Sequence, residues 1–404
     1  MFLKKLLPGA IPVATLLAGS VALADDSQTA WRLFVADQAT GTVTALDLET
    51  PDHRWKFNLA GPSRLYPSPD GETVVAVQTD NDRVDFLGSG IALEGHGDHS
   101  DLAVSDPAQI ETALEGPRPF HVVNHDHTIA VNFDQGGYVA LLDEHVLHEG
   151  QTGTDRFNQA RAHHGFAVPM GDSIISSVAS DAEVEPDKLP PRIGIQAFGA
   201  DGAPTGEMQV CTDLHGEAFS GEYLVAGCKE GIATVTVASG TPEFSMLPYP
   251  ADFPEGHTGT LLGSPAMQIF LGNYGPDSVV VIDPVAAPYL TRVELPFRRV
   301  DFVLDPANPQ FAYILTEDGT LHRLNMLSAT IEQSAPVTQP YSMDGHWRDP
   351  RPRLAMAGDR LVMTDPLASL LRVIDPVGLT ETATIPVEGL PYNIVALGGS
   401  GMQH

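Results

Sequence analysis

Short apolar runs recur along the chain, separated by turns rich in Gly, Asp, Asn and Pro. The runs come in pairs, in which a first strand, a tight turn and a second strand ending near Asp follow one another. The clearest pairs span 31–37 and 42–48, 128–133 and 138–143, 267–273 and 278–284, 311–317 and 320–326, and 359–365 and 370–376. No convincing amphipathic helical period occurs after residue 24. The pattern predicts an all-β protein.

The spacing of the pairs predicts how the strands are grouped. Candidate inner strands open near Arg64, Pro119, Ala162, Asp213, His257, Val300 and Pro352. Intervals of roughly 40 to 55 residues are typical of four-stranded propeller blades. An eighth blade would combine a lone strand at 391–397 with residues 31–60, and this pairing would remove the exposed sheet edges. We therefore predict one eight-bladed β-propeller domain over residues 25–404, with seven blades as the alternative.

The first 24 residues have the three parts of a secretory signal peptide. A basic start at Lys4 and Lys5 precedes an apolar stretch, and Ala22-Leu23-Ala24 provides a small-residue cleavage site after Ala24. The apolar stretch is short for a membrane span, and no later stretch is long and apolar enough to cross a bilayer. The sequence thus predicts an exported, soluble protein with no membrane insertion after cleavage.

The net charge narrows the range of partners. The formal charge is −30, and removal of Lys4 and Lys5 with the signal peptide would make it −32. Such a chain is repelled by nucleic acid and by anionic lipid, and it attracts cations. The two cysteines, Cys211 and Cys228, most simply form one disulfide in an oxidising compartment, with a thiolate metal site as the alternative.

Several histidines fall at equivalent positions of successive blades. His121, His164, His215 and His257 all stand at the predicted starts of inner strands. They should therefore line one arc of the mouth of the central channel. Several imidazoles at that spacing can bind one zinc ion, with a carboxylate or water completing the shell. His163 should point away from His164, because side chains alternate along a strand.

A second group of histidines lies in connections on the opposite face. The segment EGHGDHSDL (94–102) contains His96, Asp98 and His99, and NHDH (124–127) contains His125 and His127. Asp126 and either His145 or His148, from the segment 143–150, would join them. We predict a second, surface zinc site here, on a loop that the ion orders. The alternative is a polar surface loop. The isolated His53, His322, His346 and His404 are expected to be solvated.

These motifs resemble the periplasmic zinc chaperones of the AztD type. The resemblance rests on EGHGDHSDL, HVVNHDHTIAVNFDQGGY, HHGFAV and the cysteines around DLHG, and it extends over essentially the whole chain after residue 24. It implies a periplasmic β-propeller with two zinc sites, which passes Zn(II) to the zinc-specific solute-binding protein of an ABC importer. It also implies that the protein is not an enzyme.

Two other functional classes fit the same pattern. A propeller hydrolase or lyase would use a channel metal to activate water, although the chain has neither a G-x-S-x-G nor an H-E-x-x-H motif. A scaffold propeller would carry its histidines incidentally. Zinc titration separates the three classes, because tight stoichiometric binding without turnover favours the carrier.

Overall fold

The computed structural model describes residues 27–402 except 97–98, 149–152, 187 and 265. The predicted signal peptide, Asp98 and His404 lie outside this part, as do the side chains of His96, His99 and His148. Signal cleavage and the domain start at residue 25 therefore stay predictions. No helix in the described part of the chain has the length and apolarity that crossing a membrane requires.

The described chain is almost entirely β-strand. The first nine strands are β1 (Ser27–Asp37), β2 (Thr42–Asp47), β3 (Arg54–Asn58), β4 (Arg64–Pro67), β5 (Thr73–Gln78), β6 (Arg83–Gly88), β7 (Ile91–His96), β8 (His99–Val104) and β9 (Ala108–Glu115). The next two blades contain β10 (Pro119–His125), β11 (Thr128–Phe133), β12 (Tyr138–Asp143), β13 (Thr154–Asn158), β14 (Ala167–Met170), β15 (Ser173–Ala179), β16 (Arg192–Phe198) and β17 (Pro204–Val210). A single helical turn, α1 (Glu144–His148), follows β12, and a 3-10 turn spans Thr79–Asn81.

The second half continues the same arrangement. Its strands are β18 (Glu217–Ser220), β19 (Tyr223–Gly227), β20 (Gly231–Ala238), β21 (Thr241–Pro248), β22 (Leu261–Ser264), β23 (Met267–Tyr274), β24 (Ser278–Ile282), β25 (Leu290–Glu294), β26 (Arg299–Leu304), β27 (Phe311–Thr316), β28 (Thr320–Asn325), β29 (Thr330–Pro336), β30 (Leu354–Ala357), β31 (Arg360–Asp365), β32 (Leu370–Asp375), β33 (Thr380–Pro386) and β34 (Pro391–Met402).

These strands form eight antiparallel blades, as the sequence predicted. Six blades are four consecutive strands, a seventh has the order β4-β5-β6-β9, and the eighth has the order β3-β2-β1-β34, with β8 and β7 added beyond β34. In that blade the last strand pairs with the first, with Val35 opposite Ile394 and Trp31 opposite Gly398. The pairing of 391–397 with the N-terminal unit is thus confirmed, and the seven-blade alternative is wrong.

The burial of each strand explains its pattern of apolar and polar residues. All six residues of β5 and all five of β24 are buried, because middle strands are covered by blades on both sides. The outer strand β29 alternates exposed and half-buried positions, since one edge faces solvent. The apolar clusters bridge adjacent blades; Val75 and Val131, for example, pack in one cluster. The propeller is therefore held by contacts between blades as well as within them.

The strand directions define two faces. Inner strands begin at one end of the channel, here called the mouth face, and end at the other, the rear face. The β4–β5, β6–β9, β10–β11 and β12–β13 connections all lie on the rear face, because strands alternate in direction. The described residues of the segment 94–102, predicted as a loop, instead pair in the hairpin β7–β8 within the β6–β9 connection, with His96 opposite His99. Strand β8 also pairs with the end of β34, with Asp101 opposite Met402.

Candidate metal sites

Three of the histidines predicted at the channel mouth meet in space. His121 lies on β10, whereas His164 and His215 lie in the loops leading into β14 and β18, since these strands start four or five residues later than predicted. One ring nitrogen from each of the three lies within 4.8 Å of the others. We call these residues the channel tripod. All three are half-buried, so the group is enclosed but reachable by water.

The second ring nitrogen of each tripod histidine faces an oxygen acceptor. The Nδ1 of His164 is 2.7 Å from Oδ2 of the buried Asp134, and the Nδ1 of His215 is 2.6 Å from the carbonyl oxygen of Gly259. The Nδ1 of His121 faces Oε1 of Glu217 at 3.7 Å. The hydrogen bonds at Nδ1 of His164 and His215 place the N–H of each ring there and leave the Nε2 lone pairs for a cation, whereas the separation at His121 is longer than a hydrogen bond.

Two Nε2 atoms of the tripod lie close to the separation that zinc requires. Those of His121 and His164 are 2.9 Å apart. A tetrahedral ion with Zn–N bonds of about 2.0–2.1 Å holds its nitrogens about 3.3 Å apart. A shift of a few tenths of an ångström would therefore admit zinc.

Electrostatics favour the neutral form of two tripod rings, His121 and His215, and leave a carboxyl group beside the tripod. Burial, followed by the neighbouring His164 and His215, lowers the pKa of His121 well below its usual value. Burial also lowers the pKa of His215. The Glu217 side chain is 7% exposed, and burial raises its pKa to about 7. The site thus has neutral donors and a carboxylate whose negative charge a bound cation would stabilise.

Sequence reasoning missed both carboxylates. Glu217 follows His215 by two residues, but His215 lies in the loop before β18, so strand alternation does not predict that the two side chains meet. Asp134 lies directly after β11, where a turn aspartate is ordinary, and only the packing of blades brings it to His164. Gly216 between His215 and Glu217 has φ +76°, and a Cβ there would lie 2.7 Å from the Gly259 oxygen. The lack of a side chain at Gly216 lets the Gly259 carbonyl come close enough to accept the hydrogen bond from His215.

His257 lies outside the tripod. Its side chain is exposed, and it is not among the three residues whose ring nitrogens converge. It is close enough that its charge contributes, after burial, to the lowered pKa of His215. The neighbouring His163 turns inward, with its Nε2 2.8 Å from the Ser177 hydroxyl, away from the tripod.

A second group, here called the rear cluster, combines Asp70, His127 and His145. The Nδ1 of His127 is 3.1 Å from Asp70 Oδ1, and the Nε2 of His145 is 4.0 Å from Asp70 Oδ2. All three residues are exposed. Asp70 comes from the β4–β5 turn of the adjacent blade, and no sequence signal separated it from ordinary turn aspartates. The cluster includes His127 and His145 from the predicted surface site.

The other residues predicted for the surface site are distributed differently. The His125 ring stacks on Phe219, with centroids 3.9 Å apart, so it faces the channel rather than the rear cluster. Burial lowers its pKa. The backbones of His96 and His99 pair opposite each other at the hairpin tip, on the same rear face. Their side chains, and Asp98, lie outside the described residues, so their part in a zinc site stays a prediction.

One isolated histidine was wrongly expected to be solvated. His322 is 2% exposed, with its Nδ1 2.7 Å from the Ser334 hydroxyl and its Nε2 3.0 Å from the Thr316 hydroxyl. The ring is thus a buried link between neighbouring strands. His53, by contrast, is exposed, as expected.

Cys211 and Cys228 form the predicted disulfide. Both are fully buried and flank the segment that carries His215 and Glu217. The backbone N–H of His215 also donates to the Gly227 carbonyl, beside Cys228. The disulfide therefore anchors one arm of the channel tripod to the framework.

Replacing both cysteines by serine is expected to lower the free energy of unfolding by about 2–4 kcal/mol, because the unfolded chain regains the freedom of the closed loop. The measurement is urea unfolding of metal-free protein. Wild-type protein unfolded with a reductant is the control and should match the variant. An unchanged free energy of unfolding would show that the disulfide contributes no stability.

Comparisons with known proteins show the family to which this chain belongs. No known protein-family profile matches the chain. The curated protein named zinc chaperone AztD, from Citrobacter koseri, is 40% identical over 397 residues, covering 97% of this chain and 93% of the relative. The chain belongs to the AztD family. The crystal structure of Citrobacter koseri AztD superposes with a TM-score of 0.89 at 40% identity, covering 93% of this chain and all of that one. A structure of apo AztD from the same organism gives a TM-score of 0.87 at 38% identity, covering 93% of this chain and 99% of that one.

Proposed function

We propose that this chain is a periplasmic, non-enzymatic zinc chaperone. It binds Zn(II) at the channel tripod and passes the ion to the zinc-specific solute-binding protein of an ABC importer. The observation that carries the proposal is the convergence of three imidazoles with their Nδ1 atoms turned to oxygen acceptors. Membership of a family named for a zinc chaperone supports the choice of zinc.

The tripod has the chemistry of a site that exchanges its ion. Three histidine nitrogens satisfy zinc's preference for borderline donors and leave a fourth coordination position for a water or an incoming ligand. Buried structural zinc sites, in contrast, are closed by four protein ligands. A half-buried tripod at the mouth of a channel can bind zinc and still offer it to a partner.

The rear face would hold a second, more exposed zinc. The rear cluster offers two imidazoles and one carboxylate, and we retain His96, Asp98 and His99 as candidate ligands near it, but not His125, whose ring faces the channel. Exposed ligands lose more side-chain freedom on binding than buried ones, so this site should be weaker than the tripod.

Export to the periplasm fits the other features. The disulfide belongs to an oxidising compartment. The excess of acidic residues attracts cations and disfavours nucleic acid as a partner. Cleavage after Ala24 is tested by N-terminal sequencing of the protein recovered from a periplasmic extract.

Replacing His96 and His99 together by alanine is expected to leave the fold and the tripod intact, because the neighbouring residues 93–95 are exposed and bury little. It should remove or weaken one zinc site and slow transfer of zinc to a zinc importer's solute-binding protein. The measurements are zinc stoichiometry and the transfer rate from zinc-loaded protein.

Two further variants make this result interpretable. His127→Ala with His145→Ala disrupts the rear cluster, and His53→Ala removes an exposed histidine outside both groups. The first should behave like the hairpin variant, and the second should behave like the wild type. If both rear-face variants bind zinc with the wild-type stoichiometry and transfer it at the wild-type rate, the rear face is only a polar surface and not a zinc site.

A metal-dependent hydrolase is the second candidate, and one observation favours it. A carboxyl group with a pKa of about 7, Glu217, lies beside a three-histidine site with an open position, as a general base would. Zinc-loaded protein assayed with ester and lactone substrates decides between the two. Turnover that Glu217→Gln abolishes would replace the chaperone proposal.

A further inference from the structure

A second cavity opens at the mouth face, beside the channel tripod. It has a volume of about 340 Å³ and is walled by the starts of three inner strands, at Arg64, Phe120 and Tyr392. The segment between β29 and β30 covers it with Trp347 and Arg348. Cavities of this size hold small organic molecules.

The segment between β29 and β30 that covers the cavity is bonded to residues of other blades. Arg348 makes a two-point ion pair with Asp80, at 2.5 and 3.1 Å, so these two charges offset each other. The Gln38 side chain also donates to the Arg348 carbonyl. Trp347 remains 56% exposed, and its ring lines the cavity.

Arg64 is the cation in this cavity that lacks a carboxylate partner. Within the described part of the chain, no Asp or Glu oxygen lies within 4 Å of its guanidinium; its partner is the Tyr66 phenol. A guanidinium has five N–H donors, so one phenol leaves several of them unused. In a protein with a net charge of −30, an arginine kept apart from carboxylates is a site for an external anion.

Tyr392 supplies a second donor. Arg353 donates to the Tyr392 oxygen at 3.1 Å while it is also paired with Asp301 at 3.2 Å. Because the phenol oxygen already accepts that bond, its own hydrogen is available to an acceptor in the cavity. Burial and Asp301 oppose ionisation of this phenol, but Arg353 and Arg64 together outweigh them and lower the pKa of Tyr392. The wall is therefore electropositive.

We propose that this cavity binds a small organic carboxylate with a planar apolar body. The carboxylate accepts from Arg64 and Tyr392, and the body lies against the apolar walls that include Phe120 and Trp347. An inorganic anion would use the two donors but not the aromatic walls, so an organic anion fits better. Phe120 separates this site from the tripod, since its ring also contacts His164 at 4.7 Å between centroids.

The test uses metal-free, full-length protein and benzoate as the probe, so it does not depend on zinc binding. Calorimetry should show one benzoate bound with a Kd of about 1 mM or tighter, an ordinary affinity for a molecule of this size. Benzamide, which has the same shape without the charge, should bind at least about tenfold more weakly, and so should inorganic phosphate.

Substitutions of arginine residues test whether benzoate binds in this cavity. Arg64→Gln should weaken benzoate binding at least about tenfold, and Arg64→Lys should restore part of it, because lysine keeps the charge but not the planar fork. Arg54→Gln removes the same charge from an exposed strand and should bind benzoate like the wild type; thermal melts confirm that each variant is folded. Absence of saturable benzoate binding to the wild type, equal binding by Arg64→Gln, or equal binding of benzamide would each overturn the proposal.

Discussion

Replacing His164 by alanine is expected to abolish tight zinc binding in the channel. His164 gives the tripod its central ring, 4.4 Å from the His121 ring and 5.4 Å from the His215 ring. Loss of a residue that only orients a ligand typically costs 10–100-fold in metal affinity, so loss of the ligand itself should cost more than about 100-fold. Competition titration with a zinc chelator measures the change.

Three variants complete this experiment. His53→Ala, an exposed histidine outside both groups, should retain wild-type affinity. Asp134→Asn keeps a hydrogen-bond acceptor at His164 but loses its charge, so it should weaken binding by about 10-fold or more. His257→Ala tests whether His257 becomes a fourth ligand when zinc binds. A decrease in zinc affinity as large as that of His164→Ala would show that it does. An unchanged zinc affinity in His164→Ala would show that the tripod is not the zinc site.

The sequence was informative about the fold because propeller blades repeat a local signal. Each blade contains an apolar strand pair around a tight turn, and such pairing is decided by neighbouring residues. The unmatched strand at 391–397 then required the N-terminal unit as its partner, which the pairing of β34 with β1 confirms. The starts of β14, β18 and β22 were placed four or five residues too early, since the loops 162–166, 213–216 and 257–260 precede these strands without joining a sheet.

The candidate sites were only partly predictable, for a physical reason. Equivalent positions in successive blades are a property of the repeat, so His121, His164 and His215 could be grouped from the sequence. Asp134 and Asp70 depend on how one blade packs on the next, and an aspartate in a turn has a sufficient local explanation without a metal. The ring of His125 turned to Phe219 because an aromatic surface was available on another inner strand.

Glu217→Gln is expected to have opposite effects on stability and on zinc binding. The folded metal-free protein holds the Glu217 proton until about pH 7, whereas the unfolded chain releases it near the ordinary value of 4.5. Between these values the folded state binds more protons, so stability falls as pH rises through this window. At pH 8 the buried charge costs up to about 3 kcal/mol, since one pKa unit corresponds to about 1.4 kcal/mol. Glutamine removes this cost, so the metal-free variant should be more stable than the wild type at pH 8 and equally stable near pH 4.5.

Zinc binding should respond in the other direction, because the cation is stabilised by the ionised carboxylate facing His121. Wild-type affinity should therefore rise with pH up to about 7 as Glu217 loses its proton, and zinc binding below pH 7 should release that proton. In Glu217→Gln the affinity at pH 8 should fall by about tenfold or more, and one fewer proton should be released at pH 6. Urea unfolding at pH 4.5 and 8, together with calorimetry in two buffers of different ionisation enthalpy, measures both effects. His53→Ala is again the control. A variant that loses zinc affinity and stability together at pH 8 would mean that Glu217 is a structural residue whose charge the fold already compensates.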